Sequence, residues 1–168
     1  MENNQIYRVL VVCTANVCRS PLGEAILKNY VSHSEMNSYV EVSSSGIWAT
    51  DGQKPSALTE EVARENGLDI SKHYSQSINP QLIQNCDLIL CMTPEHRNEL
   101  KNIFPEMEGK IFTLKEFNKK QKPENETIDD PIGLSFNFYR RIYQEIEAEV
   151  KRVFPEIKSR AQKKLTLK

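Results

Sequence analysis

The chain has 168 residues, of which 39% are hydrophobic and 27% charged, a balance typical of one soluble globular domain rather than of a disordered segment. Its formal net charge of −1 gives no reason to expect a nucleic acid as partner. No apolar run is long enough to span a bilayer, and residues 1–7 lack the apolar core of a secretory signal, so we expect a cytoplasmic protein with no membrane partner.

The first structured segment is predicted to be a strand, a tight loop and a helix. Val9 to Val12 is wholly apolar and rich in β-branched residues, which is typical of a strand buried on both faces of a parallel sheet. Ser20 offers a hydroxyl suited to cap a helix, and Pro21 suits the first helical position. Apolar residues then recur at helical spacing, at Leu22, Ala25, Ile26 and Tyr30.

The alternation of strands and helices continues along the chain. Strands are predicted at 39–43, 87–92 and 110–114, and helices at 57–67, from 79, from 93 and from 138 to about Pro155. This pattern indicates an α/β fold with a parallel sheet covered by helices on both faces. Because ligands bind at the carboxyl ends of strands in such sheets, we expect the site in the loop after the first strand.

Two segments do not follow this alternation. Residues 115–135 form a long polar stretch, and loops of that length are usually functional or mobile. Residues 156–168 are basic and are predicted to form a solvated helical tail. We find no internal repeat and no domain boundary, so residues 1–168 are predicted to form a single domain.

Residues 13–21 join the predicted strand to the predicted helix and carry the chemistry. A phosphate held there would meet the N–H groups of a curled loop and the positive end of the helix dipole, and the same field stabilises a thiolate at Cys13. Arg19 offers a planar guanidinium that binds two phosphate oxygens. The segment therefore predicts that Cys13 attacks phosphorus while Arg19 binds the transferring group. The other residues predicted to line the phosphate are Thr14, Ala15, Asn16, Val17, Cys18 and Ser20.

Two other cysteine patterns in the sequence are poorer candidates for a functional site. Cys91 and Arg97 repeat the same spacing, but Glu95 would place a carboxylate where phosphate must lie, and Pro94 removes an N–H donor. Cys86 and Cys91 bracket a strand, where side chains five positions apart point to opposite faces and lie roughly 16 Å apart. One tetrahedral zinc ion does not reach both, so we expect no metal and no other cofactor.

Residues 13–21 resemble the signature of the low-molecular-weight protein tyrosine phosphatases, usually V-C-x-G-N-x-C-R-S-P, and the similarity extends to about Val153. The resemblance implies a flavodoxin-like domain of three layers, with a four-stranded parallel sheet in the order 2-1-3-4. It also implies a strained loop asparagine held by two serines and a histidine. The residues at the matching positions are Asn16, Ser20, Ser44 and His73. On sequence alone His73 could equally be an exposed loop histidine.

The general acid is expected in the long polar stretch, where Asp130 precedes Pro131. A residue before proline is biased towards extended geometry, which fixes the direction of its carboxylate. The family carries its acid in an Asp-Pro pair, so the resemblance implies that Asp130 protonates the leaving oxygen and later accepts a proton from water. The residues alone are also compatible with an ordinary turn aspartate.

The sequence departs from the family pattern around the substrate. Ala15 replaces the usual glycine, which costs roughly 1 kcal/mol or more if that position needs a positive φ. Ile132 and Gly133 stand where tyrosine phosphatases place aromatic residues that wall the substrate ring. Trp48 could supply the wall together with Ile132, although tryptophan also suits a core or surface position. These changes leave the preference for phosphotyrosine open.

Cys18 lies near Cys13 in the loop. In the family such a pair can form a reversible disulfide under oxidation, which would protect the thiolate from irreversible oxidation. A small packing residue is the alternative interpretation of Cys18.

Three other functions compete with a tyrosine phosphatase. Protein arginine phosphatases resemble this chain in the Asp-Pro-x-Gly element and in the Ser-x-Gly-x-aromatic segment. They carry a threonine in the place of Val17, and valine lacks the hydroxyl with which that threonine would position water. Thioredoxin-linked arsenate reductases need a third cysteine on a mobile segment, and none follows Cys91. A binding module without turnover needs no nucleophile and no acid. The sequence therefore predicts a monomeric tyrosine phosphatase acting on phosphorylated proteins, with an arginine phosphatase as the second choice.

Overall fold

The centre of the molecule is a four-stranded parallel sheet with the strand order β2-β1-β3-β4. The computed structural model describes residues 5–167. The strands are β1 (Tyr7–Cys13), β2 (Val40–Gly46), β3 (Leu88–Cys91) and β4 (Ile111–Thr113). The predicted fold class and the predicted strand order are both confirmed.

Helices connect the strands and cover both faces of the sheet. Within residues 5–167 they are α1 (Arg19–Ser32), α2 (Ala57–Glu65), α3 (Pro80–Gln84), α4 (Pro94–Ile103) and α5 (Phe136–Thr166), with a 3-10 helix at Pro105–Lys110. Asn79 and Thr93 cap α3 and α4 through their side chains, and in each case a proline follows at the first helical position, as predicted. No helix in the described range is long and apolar enough to cross a bilayer.

β1 is apolar throughout because both of its faces are buried. Val9 and Val11 belong to a core shared with α1 and α5, whereas Leu10 and Val12 belong to a second core on the opposite face. Alternate residues of a strand point to opposite faces, so a strand between two helix layers needs a continuous apolar run. Residues from the helices that complete these two cores include Leu22, Ile26, Ile142 and Ile146 on one side and Ile83, Leu100 and Met107 on the other.

The register of the sheet brings three strand ends together. Cys13 at the end of β1 pairs with Gly46 of β2, and Val12 pairs with Cys91 of β3. The long polar segment joins the same edge, because the N–H of Ile128 donates to the carbonyl of Met92 at 2.8 Å. The loop after β1, the start of α4 and the segment before α5 therefore meet at the carboxyl edge of the sheet, where ligands bind in folds of this type.

The closing helix is longer than predicted, because α5 continues through Pro155. Proline in a helix interior costs about 3 kcal/mol. Ile157 on the following turn is fully buried, which contributes about 1.5–3 kcal/mol. Lys164 then forms an ion pair with Asp87 at 2.9 Å. The helix predicted for 156–168 is confirmed as far as Thr166, but it is not fully solvated, since Ile157 and Ala161 pack against the core and offset the cost of the proline.

Candidate active site

The loop between β1 and α1 surrounds the sulfur of Cys13 with hydrogen-bond donors. The N–H of Asn16 donates to Cys13 Sγ at 3.3 Å, and Ser20 Oγ lies 2.9 Å from the same sulfur. Asn16 Nδ2 donates to Ser20 Oγ at 2.7 Å, and the single hydroxyl proton of Ser20 has two acceptors within reach, the sulfur at 2.9 Å and the more distant carbonyl of Ser45 at 3.5 Å. Both donors are positioned to stabilise negative charge on Cys13.

Ser20 does not cap α1, contrary to the prediction. The helix begins at Arg19, its N-cap position is Cys18, and no side chain bonds there. The serine hydroxyl is taken by Cys13 and Asn16 instead. A helix start without a side-chain cap keeps its first backbone N–H groups available, so the entrance of α1 suits an anion.

Asn16 is the centre of a network that holds the loop. Its φ of 60° is in the left-handed region, which asparagine tolerates better than most residues. Its side chain donates to Ser20 and to Ser44 at 2.9 Å, and His73 Nε2 donates to its carbonyl at 2.9 Å. The structure thus brings together the four residues that the resemblance implied. The backbone N–H of Gln76 donates to Asn16 Oδ1 at 3.0 Å. This contact was not predicted from the sequence, because the only signal for Gln76 is that it lies three residues after His73.

Ala15 does not carry the strain that a positive φ would impose on an alanine. Its φ is negative, and the left-handed residue of the loop is the next one, Asn16. The glycine that this loop needs is Gly46 in β2, where a Cβ would lie 2.5 Å from the carbonyl oxygen of Thr14. The N–H of Trp48 also donates to that oxygen, at 3.0 Å. Close packing of the loop against the end of β2 is therefore possible only without a side chain at Gly46.

Arg19 connects the loop to the segment that carries the predicted acid. Its Nη1 donates to the carbonyl of Ile128 at 2.9 Å, and its Nη2 lies 3.6 Å from Asp130 Oδ2. The arginine side chain is 5% exposed, whereas that of Asp130 is 44% exposed. The other oxygen of Asp130 accepts from the N–H of Ile132 at 3.1 Å, so this aspartate also forms the turn considered as its alternative role.

The predicted catalytic residues line one small cavity of about 80 Å³. Ile132, which is 54% exposed, stands at its edge. The side chain of Trp48 is 65% exposed and is not among the lining residues, although its backbone contacts the loop. The cavity is lined by Cys13, Thr14, Ala15, Val17, Cys18, Arg19, Asp130 and Ile132.

Cys91 and Arg97, which have the same spacing as Cys13 and Arg19, are structural residues and do not form a phosphate site. Burial raises the pKa of the fully buried Cys91 thiol, and burial raises the pKa of Cys86 to about 12. The guanidinium of Arg97 binds the carboxylates of Glu116 and Glu126, the latter at 3.0 Å. Arg97 therefore fixes the long polar segment against α4, a role that its spacing from Cys91 did not indicate.

These surroundings predict a large difference in reactivity among the cysteines. At about pH 6.5 we expect iodoacetamide to alkylate Cys13 at least about tenfold faster than Cys86 or Cys91, because thiols with a raised pKa remain protonated there. Peptide mass spectrometry after timed quenching measures the rates. Vanadate, which occupies a phosphate site, should slow the reaction at Cys13 and leave the rates at Cys86 and Cys91 unchanged. Equal rates for the three thiols, or no protection by vanadate, would contradict the assignment of Cys13.

The chain is similar to known phosphatases in both sequence and structure. The family model described as low molecular weight phosphotyrosine protein phosphatase matches residues 8–163. The chain is 33% identical to a protein-arginine-phosphatase of Geobacillus stearothermophilus over 91% of this chain and 97% of that protein. It is 31% identical to the low molecular weight protein-tyrosine-phosphatase Etp of Escherichia coli, over 83% and 86%. The structure of Vibrio vulnificus Wzb in complex with benzylphosphonate superposes with a TM-score of 0.78 at 30% identity, over 90% of this chain and 99% of that one.

Proposed function

This chain belongs to the low molecular weight phosphotyrosine protein phosphatase family, and we propose that it hydrolyses phosphotyrosine on proteins through a phosphocysteine intermediate. The observation that carries the proposal is the convergence of Cys13, Arg19 and Asp130 on one cavity. These three residues would supply the nucleophile, the phosphate clamp and the general acid. In this family these are the groups that cysteine-dependent phosphoryl transfer requires.

The first half-reaction transfers the phosphoryl group to sulfur. The thiolate of Cys13 attacks phosphorus, a sulfur–phosphorus bond forms, and the bond to the tyrosine oxygen breaks. Arg19 and the loop N–H groups stabilise the charge on the phosphoryl oxygens. Asp130 donates its proton to the departing phenolate oxygen, for which its exposed carboxyl at the cavity mouth is suitably placed.

The second half-reaction returns the enzyme to its starting state. Water attacks the phosphocysteine, and the carboxylate of Asp130 accepts a proton from that water. The sulfur–phosphorus bond breaks and inorganic phosphate leaves. The thiolate is restored beside Ser20 Oγ, whose position 2.9 Å from the sulfur supports negative charge on the leaving group.

The proposal extends to the surroundings of the reaction. Ile132 lines the cavity, and Trp48 is joined to the loop through its backbone N–H; both side chains are exposed, and they would form the walls for the substrate ring. Cys18 lines the same cavity as Cys13 and would form the reversible disulfide under oxidation. In the described structure Cys18 is a free thiol that donates to Ser56 Oγ at 3.4 Å.

We propose that the protein is a monomer and that it acts in the cytoplasm.

Phosphoarginine is the second candidate substrate, since the chain is also similar to a named arginine phosphatase. The observation against it concerns Val17, which lines the cavity with a branched side chain and no hydroxyl. A hydroxyl at this point can orient an attacking water by hydrogen bonding, and valine cannot. Val17 therefore lacks the hydroxyl that the arginine phosphatases carry at this position, and phosphoarginine ranks second.

A substrate panel separates the two candidates. We expect turnover of a phosphotyrosine peptide to exceed that of a matched phosphoarginine peptide at least about tenfold, which corresponds to roughly 1.4 kcal/mol. Val17→Thr should raise phosphoarginine turnover relative to phosphotyrosine, while Val17→Ala, which adds no hydroxyl, should not. Phosphate release measures both rates. A wild-type protein that prefers phosphoarginine would replace the main proposal with the second.

A further inference from the structure

His96 is a buried histidine on α4 for which the proposed reaction has no role. Its ring is 3% exposed, and its Nε2 lies 2.8 Å from Thr14 Oγ1. The same hydroxyl oxygen accepts a hydrogen bond from Arg19 Nη2 at 3.2 Å. A single hydroxyl in the loop therefore connects this histidine to the guanidinium that binds phosphate.

The fold places His96 there through the start of α4. Thr93 caps the helix by accepting from the N–H of His96 at 3.2 Å, which puts the histidine in the first turn. β3 precedes this turn and pairs with β1, with Cys91 opposite Val12. The first turn of α4 and the loop after β1 thus emerge side by side from neighbouring strands.

The ring of His96 is uncharged near neutral pH. Burial, together with the positive charge of Arg19, lowers the pKa of His96 to about 4, against the weaker opposing effects of the Glu95 and Asp130 carboxylates. A neutral ring adds no second cation next to Arg19. It has one N–H donor and one acceptor, so the position of its proton determines what it offers to Thr14.

The surroundings of the ring favour the proton on Nε2. Nδ1 is buried and has no hydrogen-bond partner within residues 5–167. A buried N–H without an acceptor is rarer and more costly than a buried lone pair. With the proton on Nε2, His96 donates to Thr14 Oγ1, which then accepts two bonds, one from His96 and one from Arg19.

This arrangement leaves the proton of the Thr14 hydroxyl for the substrate. A hydroxyl has two lone pairs and one proton, and both lone pairs are occupied. Thr14 lines the cavity next to Cys13 and Arg19. We propose that His96 is a positioning residue, which turns the hydroxyl of Thr14 into an additional donor to the transferring phosphoryl group and holds Arg19 beside it. The inference rests on the proposed function of the same cavity.

The test is a double-mutant cycle on p-nitrophenyl phosphate hydrolysis. His96→Phe and Thr14→Val should each lower kcat/KM about tenfold, as expected for one hydrogen bond to a charged group. Their combination should lose little more than the larger single loss, because the histidine acts through the threonine. His96→Gln, which keeps an N–H donor at the end of its side chain, should recover most of the activity, and Thr14→Ser should behave likewise.

Two further measurements separate this role from simple packing and from failure of the proposed function. Calorimetric titration with vanadate should show weaker binding in Thr14→Val and His96→Phe, whether or not the wild type turns over. Thermal unfolding gives the melting temperature of each variant. Relative to His96→Phe, His96→Gln should recover activity even where it recovers no melting temperature. Additive losses in the cycle, or vanadate affinity that neither variant changes, would overturn the role of His96. An inactive wild type whose vanadate affinity still depends on both residues would overturn the phosphatase proposal, while supporting the positioning of the Thr14 hydroxyl by His96 towards a bound oxyanion.

Discussion

Replacement of Cys13 by serine is expected to lower kcat for p-nitrophenyl phosphate by at least about 10⁴-fold. The reason is that a serine hydroxyl stays un-ionised at this position, because within residues 5–167 the sulfur contacts the N–H of Asn16 and the hydroxyl of Ser20 and no general base. The binding apparatus of Arg19 remains, so KM should change far less than kcat. Steady-state kinetics across the pH range of activity measures both parameters.

Cys91→Ser is the matched control for this experiment. Cys91 is fully buried in β3. Arg97, which follows Cys91 at the same spacing as Arg19 follows Cys13, is bound to Glu126 instead. A hydroxyl in this apolar strand should lower the free energy of unfolding by about 1–3 kcal/mol, while kcat stays within about twofold of the wild type because Cys91 does not line the cavity. Comparable loss of kcat in both variants, or activity retained in Cys13→Ser, would refute the assigned nucleophile.

The loop could be predicted in detail because its determinants are local. The apolar strand, the small loop residues, Arg19 and the start of α1 follow one another within residues 7–21, and each obeys a short-range rule. The strand order was predicted from the family resemblance. The local rules are compatible with this order but do not determine it. Sequence patterns therefore sufficed to predict that Cys13 and Arg19 lie together in this loop.

The contacts that complete the site could not be predicted in the same way. Gln76 reaches Asn16 across 60 positions, and His96 reaches Thr14 across 82. Such contacts depend on which strand ends meet, and neither side chain shows a periodic pattern that marks it. Arg97 is the clearest case, since its spacing from Cys91 resembles a catalytic motif while its ion pairs with Glu126 and Glu116 make it a structural anchor.

Two local rules failed where tertiary contacts outweighed them. The Ser-Pro pair at Ser20 is typical of a helix cap, but the sulfur of Cys13 and the amide of Asn16 take the hydroxyl. Pro155 is typical of a helix end, but burial of Ile157 on the next turn keeps α5 intact. In both places a contact with a distant or functional group decides the local structure.

The placement of the predicted acid follows from a chain of contacts that starts at Arg97. Its ion pair with Glu126 fixes the long polar segment, and Ile128 then donates to Met92 while its carbonyl accepts from Arg19. Ile128 is fully buried, so the segment is held on both sides two residues before the acid. A loop of this length can therefore present one carboxylate at a defined position.

Asp130→Asn is accordingly expected to lower kcat/KM for a phosphotyrosine peptide by about 10²–10⁴-fold, the usual contribution of a general acid. An amide neither donates a proton to the phenolate nor accepts one from water. With p-nitrophenyl phosphate the loss should be smaller, because p-nitrophenolate departs without protonation. Asp129→Asn provides the control, since that carboxylate is 56% exposed and lies 4.0 Å from Arg141; its kcat/KM should stay within about twofold of the wild type. A larger loss in Asp129→Asn, or the same loss for both leaving groups in Asp130→Asn, would show that Asp130 is not the acid.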